Sequence, residues 1–152
     1  MEPTKEKLIL NLPAGKKYNQ SYIRARVFEI GEFLNILQTT KEPYHTLDKG
    51  MKFKTSSLRY DTWLKSVDEK GSCICYNCGL QATHVVLEKD KKSKLPQFEK
   101  IYHLNLYGLD ETGREMLFTK DHIKPKALGG LDHISNMQLY CAKCNTQKGH
   151  KY

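Results

Sequence analysis

The stretch "KDHIKPKALGGLDHISNMQLYCAKCNTQK", Lys120–Lys148, decides the fold of this chain. It holds an Asp-His pair, a Gly-Gly turn, an isolated Asn, and a Cys-x-x-Cys knuckle that a second Asn follows directly. Apolar alternation predicts a strand on each side of the Gly-Gly loop, and the last residues favour a short helix. The predicted elements are a strand at 114–123, a strand at 137–140 and a helix at about 142–149.

The cysteines predict a structural metal site. Cys75 and Cys78 form one Cys-x-x-Cys knuckle, and Cys141 and Cys144 form another, so four thiolates can surround one tetrahedral zinc ion. The 62 residues between the knuckles exceed the roughly 12 to 20 of a compact zinc finger, so the ion would join two remote parts of the fold. Such a closed site has no open position for water, so any chemistry must lie elsewhere. We expect the fifth cysteine, Cys73, to be a small buried thiol.

Polar residues near the second knuckle predict a second kind of site. If the last helix begins near residue 142, Asn145 and Lys148 project from the same side as the knuckle. Asp121 and Asn145 offer hard oxygen ligands of the kind that Mg²⁺ or Mn²⁺ accepts, and His122 is a candidate general base. Because neighbours on a regular strand face opposite sides, we expect a bend or bulge at Asp121 and His122.

Two helices are predicted in the first half of the chain. Apolar residues at spacings of three and four predict a helix at about 21–38, with Ser21 as its N-cap. A second amphipathic helix is predicted at 56–71, with an Asp61–Lys65 ion pair and Gly71 at its end.

The period then changes to that of strands. Strands are predicted at 83–90 and 98–110, and the turn "ETG" at 111–113 would join the second of these to the strand at 114–123 as a hairpin. Helices followed by antiparallel strands predict the α+β class.

Composition and charge limit the function. Of the 152 residues, 39% are hydrophobic and 28% are charged, and no stretch approaches the roughly 18 apolar residues of a membrane span. The formal charge of +8 fits a polyanionic partner such as nucleic acid, although many basic proteins have no such partner. We expect no signal peptide and no membrane association, and therefore reduced cysteines in the cytoplasm.

The ordered motif resembles that of the HNH endonuclease family. More narrowly, it is similar to the zinc-stapled, often phage-encoded members. The similarity is specific across 121–149, extends less clearly back to about residue 56, and does not cover residues 1–50. The residues that carry it are Asp121, His122, Ile123, Pro125, Gly129, Gly130, Asn136, Gln138, Cys141, Cys144, Asn145, Lys148 and Gly149.

The resemblance implies a ββα-metal (His-Me finger) core with an extra β-hairpin and a four-cysteine zinc site. The helix predicted at about 21–38 would precede this core as an N-terminal helical segment. It divides the chain into an extension at 1–55, which would contact DNA or pack on the core, and an endonuclease domain at 56–152. The implied reaction is phosphodiester hydrolysis in DNA, by nicking or by double-strand cleavage.

The resemblance also implies a role for each motif residue. His122 would activate water, Asp121 would bind the single divalent ion, and Asn136 would brace the metal loop and orient His122. Asn145 stands where the family often has His, which makes this an H-N-N variant that we expect to prefer Mg²⁺ or Mn²⁺. Lys148 would contact the phosphate.

Several alternatives remain at this stage. His150 is a conceivable substitute ligand for the divalent ion. The rival function is a non-catalytic zinc-ribbon module that binds nucleic acid, and a redox role for the cysteine pairs is a weaker third possibility. We expect double-stranded DNA as the partner, favour a monomer over an oligomer, and expect a host-cytoplasmic location if the protein is phage-encoded.

Overall fold

The computed structural model describes residues 22–47, 52–90, 102–149 and 151. Ser21 and His150 lie outside the described residues. The strands are β1 (Tyr22–Glu29), β2 (Tyr44–Thr46), β3 (Lys52–Lys54), β4 (Ala82–Asp90), β5 (His103–Leu109), β6 (Glu115–His122) and β7 (Met137–Cys141). The helices are α1 (Ile30–Thr39), α2 (Leu58–Lys65) and α3 (Ala142–Lys148), and short 3-10 turns occur at Lys126–Leu128 and Ile134–Asn136.

The strands form two antiparallel sheets. The larger has the order β1-β4-β5-β6-β7, and β2 pairs with β3 in a separate hairpin. With three helices among the described residues, this architecture confirms the predicted α+β class. None of the described helices is long and apolar enough to cross a membrane.

An aromatic cluster forms the centre of the core. The Phe33 ring lies 5.6 Å from that of Phe28, 5.7 Å from that of Phe53 and 6.0 Å from that of Trp63. Tyr60 packs beside Trp63, with ring centroids 5.1 Å apart. These five residues come from β1, α1, β3 and α2, so both helices and the small hairpin share one core with the main sheet.

The predicted helix at 21–38 is correct only in its second half. Residues 22–29 form β1, which pairs antiparallel with β4, and α1 begins at Ile30. The apolar spacing had suggested one continuous helix, but long-range pairing with β4 and burial of Phe28 determine the strand. The division at residue 55 stays a prediction, although β1 and α1 pack in the same core as the later elements.

The second predicted helix, 56–71, is shorter than expected. α2 ends at Lys65, and Val67 forms a β-bridge with Cys73. Gly71, with φ of 81°, belongs to the turn between those two residues rather than to the helix end. Lys65 does not pair with Asp61 as predicted but donates hydrogen bonds to the carbonyl oxygens of Ile134 and of Met137, the first residue of β7.

The sheet face opposite the aromatic core carries a buried polar cluster. Val85 and Leu87 of β4 lie in the core, so His84 and Glu88 point to the other face. The Glu115 carboxylate accepts two hydrogen bonds from Arg24, at 2.9 and 3.0 Å, and contacts His84 Nε2 at 2.8 Å. This cluster links β1, β4 and β6.

The strand-loop-strand-helix unit is present as β6, β7 and α3. A hairpin with Gly113 at φ of 80° joins β5 to β6. β6 then pairs with β7 from Phe118 opposite Cys141 to His122 opposite Met137, with no shift in register. The predicted bulge at Asp121 and His122 is therefore wrong.

Candidate active site

The four knuckle cysteines converge on one point. The Sγ atoms of Cys75, Cys78, Cys141 and Cys144 all lie within 4.8 Å of one another, and those of Cys78 and Cys141 are 3.9 Å apart. Four thiolates at about 2.3 Å from a tetrahedral zinc ion would be about 3.8 Å apart. The cluster is therefore positioned to hold a metal ion.

Backbone and amide N–H groups point at these sulfur atoms. Cys141 N donates to Cys75 Sγ at 3.3 Å, and Asn77 Nδ2 donates to Cys144 Sγ at 3.4 Å. Burial would raise the pKa of the Cys75 thiol, but hydrogen bonds from the backbone of Cys78, Cys141 and Asn77 bring it below its ordinary value. The environment of Cys75 therefore favours a thiolate, the form that binds metal, whereas burial raises the pKa of Cys78 and raises that of Cys141 to about 12.

Cys73 lies outside the cluster, as expected. Its thiol is fully buried and donates to the carbonyl oxygen of Trp63 at 3.3 Å. Burial, and then the Asp68 carboxylate, raise the pKa of Cys73 to about 12. Cys73 is therefore a neutral core thiol.

Asp121 is held by α3 and β7 at the end of β6. Its side chain is 7% exposed, and Oδ2 accepts hydrogen bonds from Lys148 Nζ at 2.7 Å and Gln138 Nε2 at 2.8 Å. Lys148 also donates to the carbonyl oxygens of His122 at 2.6 Å and Ile123 at 3.4 Å. Lys148 therefore holds α3 against the end of β6 and the first residue after it.

His122 is oriented by a carboxylate of the loop. Its Nε2 lies 2.6 Å from Oδ1 of Asp132, and the other Asp132 oxygen is 3.1 Å from Lys126 Nζ. The hydrogen bond from His122, and then that from Lys126, lower the pKa of Asp132. An ionised Asp132 accepts the Nε2 proton, so Nδ1 is the nitrogen with a lone pair.

The Asn136 side chain forms hydrogen bonds with backbone atoms of the loop between β6 and β7. Its Oδ1 accepts from Lys124 N at 2.8 Å, and its Nδ2 donates to Lys124 O at 3.1 Å and Leu131 O at 3.0 Å. Gly130 makes this closure possible, because a Cβ there would lie 1.7 Å from Lys124 O. Asn136 therefore shapes the loop, whereas the imidazole of His122 is contacted by Asp132.

The family model of HNH endonuclease matches residues 110–152. This segment is therefore similar to the HNH endonuclease family. No curated protein and no solved structure matches the chain. The resemblance predicted from the sequence is thus confirmed, and the HNH segment spans β6, β7, α3 and the second cysteine knuckle. An HNH endonuclease domain is a nuclease domain, so nucleic acid is its class of substrate.

A small pocket joins the motif residues of the HNH segment. Its volume is about 280 Å³, and it is lined by Lys120, Asp121, His122, Pro125, Lys126, Ala127, Asn145 and Gly149. Asp121 and His122 share it although β6 is regular, because His122 is the last residue of the strand and the loop folds back beside it. Asn145 donates through Nδ2 to Thr119 Oγ1 at 2.9 Å, so its amide oxygen is the side-chain atom that could bind an ion.

Two residues that support the HNH site were missed in the sequence. Asp132 contacts His122 across ten positions, and Lys65 of α2 donates to the carbonyl oxygens of Ile134 at 3.0 Å and Met137 at 2.8 Å. The acidic residue directly after Gly-Gly-Leu could have suggested Asp132. Nothing local marked Lys65, because its partners are backbone atoms about seventy residues away.

Proposed function

We propose that the protein is a metal-dependent DNA endonuclease in which His122 activates the attacking water. The observation that carries this proposal is the contact of His122 with Asp132 at the pocket that Asp121 and Asn145 also line. A module that only bound nucleic acid would need the cysteines and the basic surface, but not an oriented imidazole beside two oxygen ligands.

His122 would act through Nδ1. With Nε2–H donated to Asp132, Nδ1 accepts a proton from water as the water oxygen attacks phosphorus. A new phosphorus–oxygen bond forms, the bond to one bridging oxygen breaks, and that oxygen leaves with the electron pair. Asp132 stabilises the imidazolium that results, because it is an ionised carboxylate at 2.6 Å.

The pocket residues fit a hard divalent ion. Among the described residues, the side-chain hydrogen bonds to Asp121 go to Oδ2, so Oδ1 and the amide oxygen of Asn145 would be the ligands. Carboxylate and amide oxygens suit Mg²⁺ or Mn²⁺. When bound, the ion supplies Lewis-acid stabilisation of charge on the phosphate and on the leaving oxygen.

Asn136 and Lys148 would complete the site as positioning groups. Asn136 would keep the loop closed so that Asp132 reaches His122. Lys148 would hold Asp121 and the end of β6. The phosphate contact expected from the sequence would require its ammonium group to leave the three oxygens that it now contacts.

The cysteine cluster would hold a structural Zn²⁺ ion. Four thiolates in a closed set favour zinc over hard metals. The ion would fix the start of α3, and with it Asn145, to the knuckle before β4. We propose the cytoplasm as the setting, because thiols remain reduced there, and double-stranded DNA as the substrate.

Cleavage of supercoiled plasmid tests the proposal. Purified protein with one bound zinc is incubated with the plasmid, with and without added Mg²⁺ or Mn²⁺. We expect nicked or linear DNA only when the second metal is present. Binding of the plasmid without cleavage under any added metal would instead favour a zinc-containing binding module.

A further inference from the structure

A second pocket lies beside the candidate active site. Its volume is about 460 Å³, and we call it the basic groove. It lies between the β2–β3 hairpin, the first turn of α2 and the start of β5. Its lining residues are Tyr44, Lys54, Ser57, Leu58, Arg59, Tyr60, Tyr102, His103 and Lys120.

The charged side chains that line the basic groove are cationic. Lys54, Arg59 and Lys120 contribute cations, and no Asp or Glu is among the described residues that line it. Arg59 is held in place by the carbonyl oxygen of Leu104 and by Asn105 Oδ1, so its charge is not neutralised by those partners. Burial, and then the positive charges of Arg59 and Lys54, lower the pKa of His103.

Aromatic side chains stand among these cations. Tyr44 and Tyr102 line the basic groove, and the Lys52 ammonium lies 4.8 Å from the centroid of the Tyr44 ring. Lysines and arginines interleaved with aromatic rings are typical of surfaces that track the backbone of a nucleic acid. On duplex DNA the rings would lie against the sugars, because the paired bases are stacked inside the helix.

The basic groove adjoins the pocket that the HNH motif residues line. Lys120 lines both, and Asp121 and His122 follow it directly on β6. A polyanion seated on Lys54 and Arg59 would therefore extend past Lys120 to the imidazole.

We infer that the basic groove binds the sugar-phosphate backbone of the DNA substrate next to the phosphodiester under attack. The inference rests on the proposed endonuclease function. In this account, β2, β3 and the start of α2 bind the DNA strand, and β6, β7 and α3 carry the residues that act in cleavage. The family match does not include these earlier elements.

The salt dependence of DNA binding tests this inference. We would compare wild type, Lys54→Gln and Lys54→Gln/Lys120→Gln with a control, Lys41→Gln/Lys70→Gln, whose lysines are exposed and outside the basic groove. Duplex affinity is measured by anisotropy over a KCl series without added Mg²⁺ or Mn²⁺. Because each neutralised phosphate contributes about 0.9 to the slope of log K against log salt, we expect the slope to fall by about 1 per groove lysine. The control should match wild type.

The outcomes separate the two proposals. If wild type cleaves DNA but the groove variants have the same slope of log K against log salt as wild type, the basic groove does not bind the DNA backbone. The proposed endonuclease function would be unaffected by that result. Wild type that neither binds nor cleaves DNA would overturn both. Polyglutamate that competes with duplex DNA at equal charge, and loses affinity in the same variants, would contradict a nucleic-acid groove in favour of an acidic peptide.

Discussion

At the scale of single residues, the orientation of His122 depends on Asp132. The contact is short, at 2.6 Å, but the Asp132 side chain is 53% exposed, so water can partly replace it. We expect Asp132→Asn to lower turnover at saturating DNA on the order of tenfold, a part of the roughly 10²- to 10⁴-fold that a positioned general base contributes. Asp61→Asn, at an exposed residue of α2, is the control. Equal turnover of the two variants would show that Asp132 has no positioning role.

Gly130 tests the shape of the loop. An alanine Cβ would lie 1.7 Å from Lys124 O and 3.0 Å from Asn136 Nδ2. The hydrogen bonds between Asn136 and Lys124 would therefore have to lengthen or break. We expect Gly130→Ala to destabilise the protein by about 1–3 kcal/mol and to lower cleavage. Gly31→Ala in α1, where a Cβ meets nothing within 4 Å, should unfold at or slightly above the wild-type temperature. If Gly130→Ala melts at the same temperature as wild type, Gly130 does not approach Lys124 as closely as this structure indicates.

The motif residues could be predicted from the sequence because they belong to a short local unit. Asp121, Asn136 and Asn145 lie within 25 residues of one another, and their order specifies strand, loop, strand and helix. Asp132 and Lys65 could not be assigned with the same ease, because their roles depend on how the loop folds back and on which helix packs beside it.

At the scale of secondary-structure elements, the cysteine cluster joins the knuckle before β4 to the start of α3. We expect one zinc per chain, lost in Cys78→Ser and retained in Cys73→Ala, as measured by elemental analysis. Closure of the loop between the knuckles is worth about 4 kcal/mol, so chelation should lower the melting temperature on the order of 10 °C. A melting temperature unaffected by chelation would contradict a structural ion.

The polar cluster on the sheet predicts a pH dependence. Burial would raise the pKa of Glu115, but hydrogen bonds from His84 and Arg24 bring it below its ordinary value of 4.5. A depressed folded pKa means that the ionised carboxylate stabilises the protein above about pH 4.5, and that this contribution is lost as the pH falls through the folded pKa.

Thermal melts of Glu115→Gln check this sign. The variant should be less stable than wild type by about 2 kcal/mol at pH 7, because it removes the charge that His84 and Arg24 contact and leaves Arg24 with Glu88 as its remaining carboxylate partner. The difference should begin to shrink as the pH falls below 4.5 and should reach its minimum below the folded pKa of Glu115, where folded wild type also loses the charge. Glu69→Gln, at an exposed turn residue, should match wild type throughout. A gap that widens in acid would mean that the pKa of Glu115 is raised, not lowered.

β1 shows why part of the fold escaped prediction. The apolar residues of 21–38 satisfy a helical period, yet the first half forms a strand because β4 offers seven pairing partners and Arg24 reaches Glu115 across the sheet. Local pattern identified the later strands and α3 correctly, since their partners are near in sequence.

At the scale of the whole molecule, the shared core predicts that residues 56–152 do not fold without the residues before them. A fragment of residues 56–152 would lack Phe28 and Phe33 against Trp63, and would leave the buried carboxylates of Glu88 and Glu115 without Arg24. We expect no cooperative thermal transition for this fragment. A cooperative transition and a dispersed NMR spectrum would support two independent domains.

The measurement that tests the central claim most directly is plasmid cleavage by His122→Ala beside His133→Ala. His133 is an exposed residue of the same loop, and its imidazole forms a hydrogen bond with Ser135. The His133→Ala variant therefore controls for the loss of a histidine in this region. With one zinc in each protein and Mg²⁺ or Mn²⁺ added, cleavage should disappear in His122→Ala and persist in His133→Ala. Equal cleavage by wild type and His122→Ala would contradict the assignment of His122 as the general base.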